Sequence, residues 1–220
     1  MEQEKRVAAE AAAELVEDGM VVGLGTGSTV SHLLPALAAR RLRLTCVATS
    51  LQTEQAGRAL GLEVVSFDGP SGPTRLDIAI DGADQATRDG WLVKGGGAAH
   101  TREKVVGASA DRFVVIVSPD KLVDRIAPPI PLELLRFGYT ATLERLGAAT
   151  LRDVPPSPDG GVIADWIGPV DDPAALSTLL ASTPGVVEHG LFGPEVVSEI
   201  IVGHVGGAER IVFARGGARR

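Results

Sequence analysis

What most restricts the fold of this chain is a repeated alternation. Short apolar runs of about five residues are each followed by a glycine- or hydroxyl-rich loop and then by apolar residues at helical spacing. Ala8, Ala9, Ala11, Ala12, Leu15 and Val16 predict a first helix ending near Asp18-Gly19. It feeds the run Met20-Val21-Val22-Gly23-Leu24. Val30, Leu33, Leu34 and Leu37 share one face of a helix over 28–40, and Leu44 to Ala48 returns to a strand. Gln52 to Leu60 reads as helix and Glu63 to Phe67 as strand. Asp77 to Ile80 and Trp91 to Val93 are further short strands, Thr101 to Ala108 is helical, and Arg112 to Ser118 is the most strand-like segment. This order predicts an α/β fold: a mainly parallel, Rossmann-like sheet with helices on both faces. Ligands bind such sheets at the carboxyl ends of the strands, which directs attention to the loops at 25–29, 49–53, 81–84 and 94–97.

The texture changes at Ala127-Pro-Pro-Ile-Pro131, where three prolines forbid regular helix. Beyond it, Leu132 to Phe137 reads as strand, Thr140 to Leu146 as helix, Ala149 to Asp153 and Gly161 to Ile167 as strands, Asp172 to Ser182 as helix and Gly185 to Leu191 as strand. That β-α-β-β-α-β order is the ferredoxin-like split βαβ arrangement of a small α+β domain. Ile200-Ile201-Val202 and Ile211-Val212-Phe213 are apolar enough to rejoin the main sheet. The expected division is therefore a large unit of residues 1–127 and 198–220, interrupted by an inserted unit of residues 128–197.

With 45% apolar and 22% charged residues, 220 residues can bury a core. The net charge of −7 argues against non-specific nucleic-acid binding but leaves room for a local basic pocket. The single cysteine, Cys46, lies in an apolar run, so neither a disulfide framework nor a multi-cysteine zinc site can form within the chain. The N-terminus lacks the apolar core of a leader, and no segment approaches the ~18 apolar residues of a membrane span. The expected location is the cytoplasm.

Four loops carry the chemistry. Gly25-Thr26-Gly27-Ser28-Thr29 gathers backbone N–H groups and hydroxyls at a helix start, where an anion such as phosphate is favoured, although a capped turn explains the same residues. No Gly-Lys-Ser/Thr follows, and Val30 occupies the third glycine position of a dinucleotide fingerprint. Thr49-Ser50-Leu51-Gln52-Thr53 offers hydroxyls to the same crevice or a plain helix cap. Asp81-Gly82-Ala83-Asp84 places two carboxylates after an apolar strand. Such a pair can split its pKa values for proton transfer; metal ligation is the rival use, with no histidine or third carboxylate nearby in sequence. In Lys94-Gly95-Gly96-Gly97, three glycines invite close backbone approach to a ligand beside a cation, and Glu103 follows in the next helix. A carboxylate base, a carboxylate pair, a lysine and an anion cradle are the parts that aldose–ketose isomerisation needs, and no cofactor is required.

Gly23-Leu-Gly-Thr-Gly-Ser-Thr29, Asp81-Gly-Ala-Asp84 and Lys94-Gly-Gly-Gly-Ala-Ala-His-Thr-Arg-Glu-Lys104 resemble, in order and spacing, the signature loops of A-type ribose-5-phosphate isomerases. Weaker similarity runs through 128–131, 160–165 and 184–192. The resemblance implies that Glu103 is the proton-transferring base, that Asp81 serves ring opening and oxygen-proton transfer, that Lys94 stabilises the oxyanion and that Asp84 holds hydroxyls. It implies substrate contacts at Thr26, Gly27, Ser28, Thr29, Asp81, Gly82, Ala83, Asp84, Lys94, Gly95, Gly96, Gly97 and Lys121. It also implies no metal or organic cofactor, a sugar-phosphate substrate and a homodimer or homotetramer. His100, Gln85 and Phe137-Gly138 depart from the family pattern without removing a catalytic group. The competing readings are a related sugar-phosphate isomerase or deaminase, a coenzyme A transferase and a non-catalytic sugar-phosphate sensor.

Overall fold

The computed structural model describes residues 1–70 and 72–213; Ser71 and 214–220, which the expected division gives to the large unit, lie outside the described residues. The first half of the chain forms α1 (Glu2–Ala13), β1 (Val21–Leu24), α2 (Val30–Ala39), β2 (Thr45–Ala48), α3 (Leu51–Ala59), β3 (Glu63–Val64), β4 (Leu76–Asp81), β5 (Gln85–Ala86), β6 (Leu92–Val93), α4 (His100–Ala108) and β7 (Ala110–Val117). A short 3-10 turn, Pro119–Lys121, ends that half. The second comprises β8 (Ile130–Leu134), α5 (Tyr139–Leu146), β9 (Ala149–Leu151), β10 (Val162–Trp166), α6 (Pro173–Ser182), β11 (Val186–His189), β12 (Leu191–Phe192), β13 (Glu199–His204) and β14 (Gly207–Val212).

Seven strands form the main sheet in the order β14-β13-β7-β4-β1-β2-β3. All neighbours are parallel except the closing hairpin of β13 and β14. Alternate residues of the central strands feed two cores. Val22, Leu24, Ile78, Ile80, Val114 and Ile116 meet α1 and α2 on one face. Val47, Ala79, Val115 and Val117 meet Val106 of α4 and Phe192 on the other. Two-sided burial is why these strands read as continuous apolar runs.

The second sheet is antiparallel with order β11-β8-β10-β9, the split βαβ arrangement read from the sequence. Its core joins Ile130, Leu132, Leu134, Ala164 and Trp166 to Leu176 and Leu180 of α6. The chain leaves the main sheet after β7 and returns to it at β13, beside β7.

Three expectations change. The first helix stops at Ala13 rather than near Asp18, and Arg40 donates to the carbonyls of Ala13, at its end, and Val16, just past it. Trp91 to Val93 does not join the parallel sheet: β6 pairs antiparallel with β5 and β12 in a separate three-stranded sheet. Too few residues separate Asp81 from Leu92 to build the crossover that a parallel neighbour requires. The segment 185–191 is not one strand either. At Gly190, whose N–H donates to Pro131 O at 2.7 Å, the chain passes from the four-stranded sheet to the three-stranded one.

Candidate active site

Asp81 ends β4 at the middle of the main sheet, where β1 and β4 deliver their following loops side by side. A Cβ at Gly25 would fall 2.0 Å from Asp81 Cγ, so only glycine there lets the carboxylate fold back beneath the loop. Its Oδ1 accepts from the N–H groups of Gly82 (2.7 Å) and Thr26 (3.1 Å). Lys94 leaves the end of β6 and reaches the same point: its Nζ lies 2.9 Å from Asp81 Oδ2 and 3.2 Å from Glu103 Oε2, and donates to Gly82 O. Glu103 is presented by the first turn of α4. Asp81, Lys94 and Glu103 are only 3%, 2% and 4% exposed.

Two carboxylates and one ammonium, all buried, carry a net negative charge unless one carboxyl keeps a proton. Burial pushes the Glu103 carboxyl up to about 8, with the Asp81 charge adding to the rise and the Lys94 ammonium opposing it. Burial also raises Asp81, against the pull of Lys94 and of the Gly82 and Thr26 N–H groups. Burial alone would lower the Lys94 pKa, but the paired carboxylates hold it above the ordinary lysine value. The cluster is thus a permanent cation beside a carboxyl that exchanges its proton near neutral pH.

Above it opens a cavity of about 240 Å³, lined by Thr26, Gly27, Ser28, Thr29, Gly82, Ala83, Asp84, Lys94, Gly95, Gly96, Gly97, Glu103 and Lys121. Every site residue named from the sequence therefore reaches the cavity wall except Asp81, whose Oδ2 lies against the Lys94 ammonium that does. Asp84 bridges two loops, its backbone N–H donating to Val93 O and its Oδ2 accepting from Gly96 N, both at 2.8 Å. The hydroxyls of 49–53 do not line the cavity. Thr49, Ser50 and Thr53 surround Thr26 Oγ1 at 2.8, 2.8 and 3.2 Å, and Ser50 caps α3. His100 is fully buried under Gly95, away from the cavity wall, and burial holds its pKa down at about 4, so it stays neutral.

The cavity wall also includes Met1, Lys5 and Asp120, which the sequence reading did not single out. Lys5 gave no local signal, because only the docking of α1 across the sheet brings its first turns over the carboxyl ends. Arg152 was missed as well: from beyond β9 it donates to Gly95 O (2.9 Å) and Gly96 O (3.2 Å). Among the described residues no group of three or more His, Cys, Asp or Glu side chains is placed to hold a metal ion.

One cavity wall thus brings together the 26–29 backbone, the lysines Lys5 and Lys121, and the Lys94 and Glu103 side chains, groups suited to holding an anion and to exchanging a proton. Residues 1–66 match the profile of a DeoR C terminal sensor domain, a segment that ends before Asp81, Lys94 and Glu103. The ribose-5-phosphate isomerase A of Halobacterium salinarum is 45% identical over 203 residues, covering 87% of this chain and 88% of that protein. The crystal structure of ribose 5 phosphate isomerase A from Neisseria gonorrhoeae superposes with a TM-score of 0.89 at 31% identity, covering 94% of this chain and 95% of the other. A D-ribose-5-phosphate isomerase in complex with phospho-erythronic acid gives 0.87 at 32% identity, over 95% and 97%. Residues 45–207, which contain the buried carboxylate–lysine cluster, match the profile described as Ribose 5-phosphate isomerase A (phosphoriboisomerase A), and the chain belongs to that family.

Proposed function

We propose that the chain interconverts D-ribose 5-phosphate and D-ribulose 5-phosphate through an enediolate. The observation that carries this reading is the Lys94 ammonium lying within 3.2 Å of both Asp81 and Glu103, with the Glu103 carboxyl raised to about 8 at the floor of the cavity. The phosphate sits at the 26–29 loop, where unpaired N–H groups at the start of α2 and the lysines Lys5 and Lys121 supply positive potential. Asp81 assists opening of the sugar ring. Ionised Glu103 then takes the proton from carbon 2 and returns it to carbon 1. Lys94 stabilises the oxygen anion formed between the two steps, and Asp81 carries the proton between the two oxygens. Asp84, fixed by the Gly96 N–H, holds the remaining hydroxyls. The cavity lies below the usual range for drug-sized ligands, which suits a five-carbon phosphate.

Every step in this scheme uses a side chain or backbone group of the chain itself, so turnover needs no metal or organic cofactor. The enzyme works in the cytoplasm as a homodimer or homotetramer. The inserted unit of residues 128–197 provides the contact between copies, where Phe137, 89% exposed, and Leu135 present apolar surface. No helix among the described residues is long and apolar enough to cross a membrane. In a coupled assay with chelator present, ribose 5-phosphate turns over and Glu103→Gln lowers kcat by at least ~10²-fold. Full activity in that variant removes Glu103 from the mechanism, and a strict need for added divalent metal rejects the scheme.

A further inference from the structure

We propose that Arg152 is a positioning residue for the isomerisation, fixing the glycine loop so that the Gly97 N–H faces the cavity as a donor to the enediolate; the inference rests on the functional reading above. The Arg152 guanidinium is clamped on one side by Asp165 of β10: Nε donates to Oδ2 at 2.8 Å and Nη2 pairs with Oδ1. The group is planar, so this bidentate contact sets the direction of the remaining nitrogen. That nitrogen, Nη1, donates to Gly95 O at 2.9 Å and to Gly96 O at 3.2 Å.

In a trans peptide the C=O and the following N–H point in opposite directions. Holding Gly95 O toward Arg152 therefore turns the Gly96 N–H the other way, where it meets Asp84 Oδ2 at 2.8 Å. Holding Gly96 O toward Arg152 likewise turns the Gly97 N–H away from the guanidinium. Gly97 lines the cavity, and its N–H has no hydrogen-bond partner among the described residues. With glycine on both sides, the Gly96–Gly97 peptide has little steric barrier to rotation. Rotated, it would present a carbonyl oxygen to the cavity and repel the anion it should stabilise.

The loop also needs an outside hold. Gly95 has φ +102° and Ala98 φ +60°, a left-handed conformation that costs a non-glycine residue about 1 kcal/mol or more. Within the loop, Ala98 N donates to Gly95 O at 3.0 Å. Arg152 adds the second bond to that carbonyl and the only bond to Gly96 O found among the described residues. It is absent from the cavity wall, so it acts through the loop rather than on the substrate.

The test compares wild type with Arg152→Met and Asp165→Asn, each checked by thermal melting and circular dichroism. For Arg152→Met we expect kcat to fall about 10- to 100-fold, the range below loss of a whole oxyanion donor, with KM for ribose 5-phosphate changed less than about threefold. Inhibition by phospho-erythronic acid, whose carboxylate offers charged oxygens to the donors, weakens by the same factor as kcat/KM. Inhibition by inorganic phosphate does not change. Added methylguanidine restores part of kcat in Arg152→Ala. Asp165→Asn keeps the guanidinium but loosens its plane, and gives a smaller loss with the same pattern. Should Arg152→Met fail to fold, this second variant decides. An unchanged kcat in a folded variant overturns the proposal, and so does a loss carried by KM and phosphate affinity together. If wild type itself does not turn over ribose 5-phosphate, the functional reading falls. Weaker binding of phospho-erythronic acid by the variant then still supports, and equal binding still refutes, the hold on the loop.

Discussion

The loop at 25–29 and the loop at 94–99 each end a strand, begin a helix and present backbone donors to one cavity, yet they are held in different ways. The first is secured by its neighbours in the main sheet. Asp81 accepts from Thr26 N, the hydroxyls of 49–53 enclose Thr26 Oγ1, and Thr53 Oγ1 donates to Gly25 O at 2.9 Å. The second is secured from elsewhere in the chain: Arg152 takes two of its carbonyls, and Lys94 N donates to Gly190 O at 2.9 Å. The helix that follows it is tied down in the same manner. Thr101 donates to Glu133, Arg102 pairs with Asp159, and Lys104 pairs with Glu188 at 2.7 Å, so three of the residues flanking Glu103 are gripped by the second half of the chain. An anion end tolerates some freedom, because electrostatic attraction falls slowly with distance. A proton-transfer end does not, because small misplacements there cost orders of magnitude in rate.

Substitutions in the two loops and at Lys121 should separate these roles. The largest effect is expected from Lys94→Met, which removes the cation between two buried carboxylates. We expect kcat to fall by about 10²- to 10³-fold and, above the pH at which both carboxyls ionise, stability to fall by about 3–5 kcal/mol. A denaturant series at two pH values checks it; a variant equally stable at both would show that Lys94 does not balance the pair. Next comes Gly25→Ala, whose Cβ would overlap Asp81. Overpacking of this kind costs about 1–3 kcal/mol, and it displaces the carboxylate on which Thr26 and Lys94 both rest. Both kcat and phosphate affinity should drop, whereas a loss in phosphate affinity alone would sever the link between the loops. The smallest effect belongs to Lys121→Met. Lys121 is 41% exposed and lines the cavity, and in the proposed function it serves the phosphate, so KM should rise about fivefold or less, more at low salt, with kcat unchanged. A fall in kcat would place Lys121 at the chemistry instead.

The parts of the molecule written in local patterns were legible before the structure. Strand β4 reads as an apolar run closed by an acid, and Asp81 stands at its end; the β-α-β-β-α-β order beyond the prolines gives the second sheet. The loops at 26–29, 81–84 and 94–97 announce themselves through glycine and hydroxyl content, which reports backbone requirements directly. What stayed hidden depends on groups distant in sequence. Nothing near Arg152 signals that it reaches Gly95, 57 residues away, and Lys5 looks like one more charge on an amphipathic helix until α1 is docked. The hydroxyls of 49–53 left two readings open, crevice wall or helix cap, because a buried network and an open binding wall share one composition; Ser50 caps α3, and Thr49 and Thr53 enclose Thr26 Oγ1. The placement of β6 could have been argued from length alone, since the chain between Asp81 and Leu92 is too short for a parallel crossover.

The proposed isomerisation requires that Glu103, raised to about 8 by burial, be ionised to take the substrate proton. In the free enzyme the neutral carboxyl dominates below that value and the ionised carboxylate, the form the proposed mechanism needs, above it. The pH dependence of kcat/KM for ribose 5-phosphate between about pH 6.5 and 9.5 measures this directly. With Glu103 as the base, kcat/KM rises nearly tenfold per pH unit on the acid side and bends to a plateau near pH 8. A profile that is flat across this range, or that falls as pH rises through 8, contradicts it.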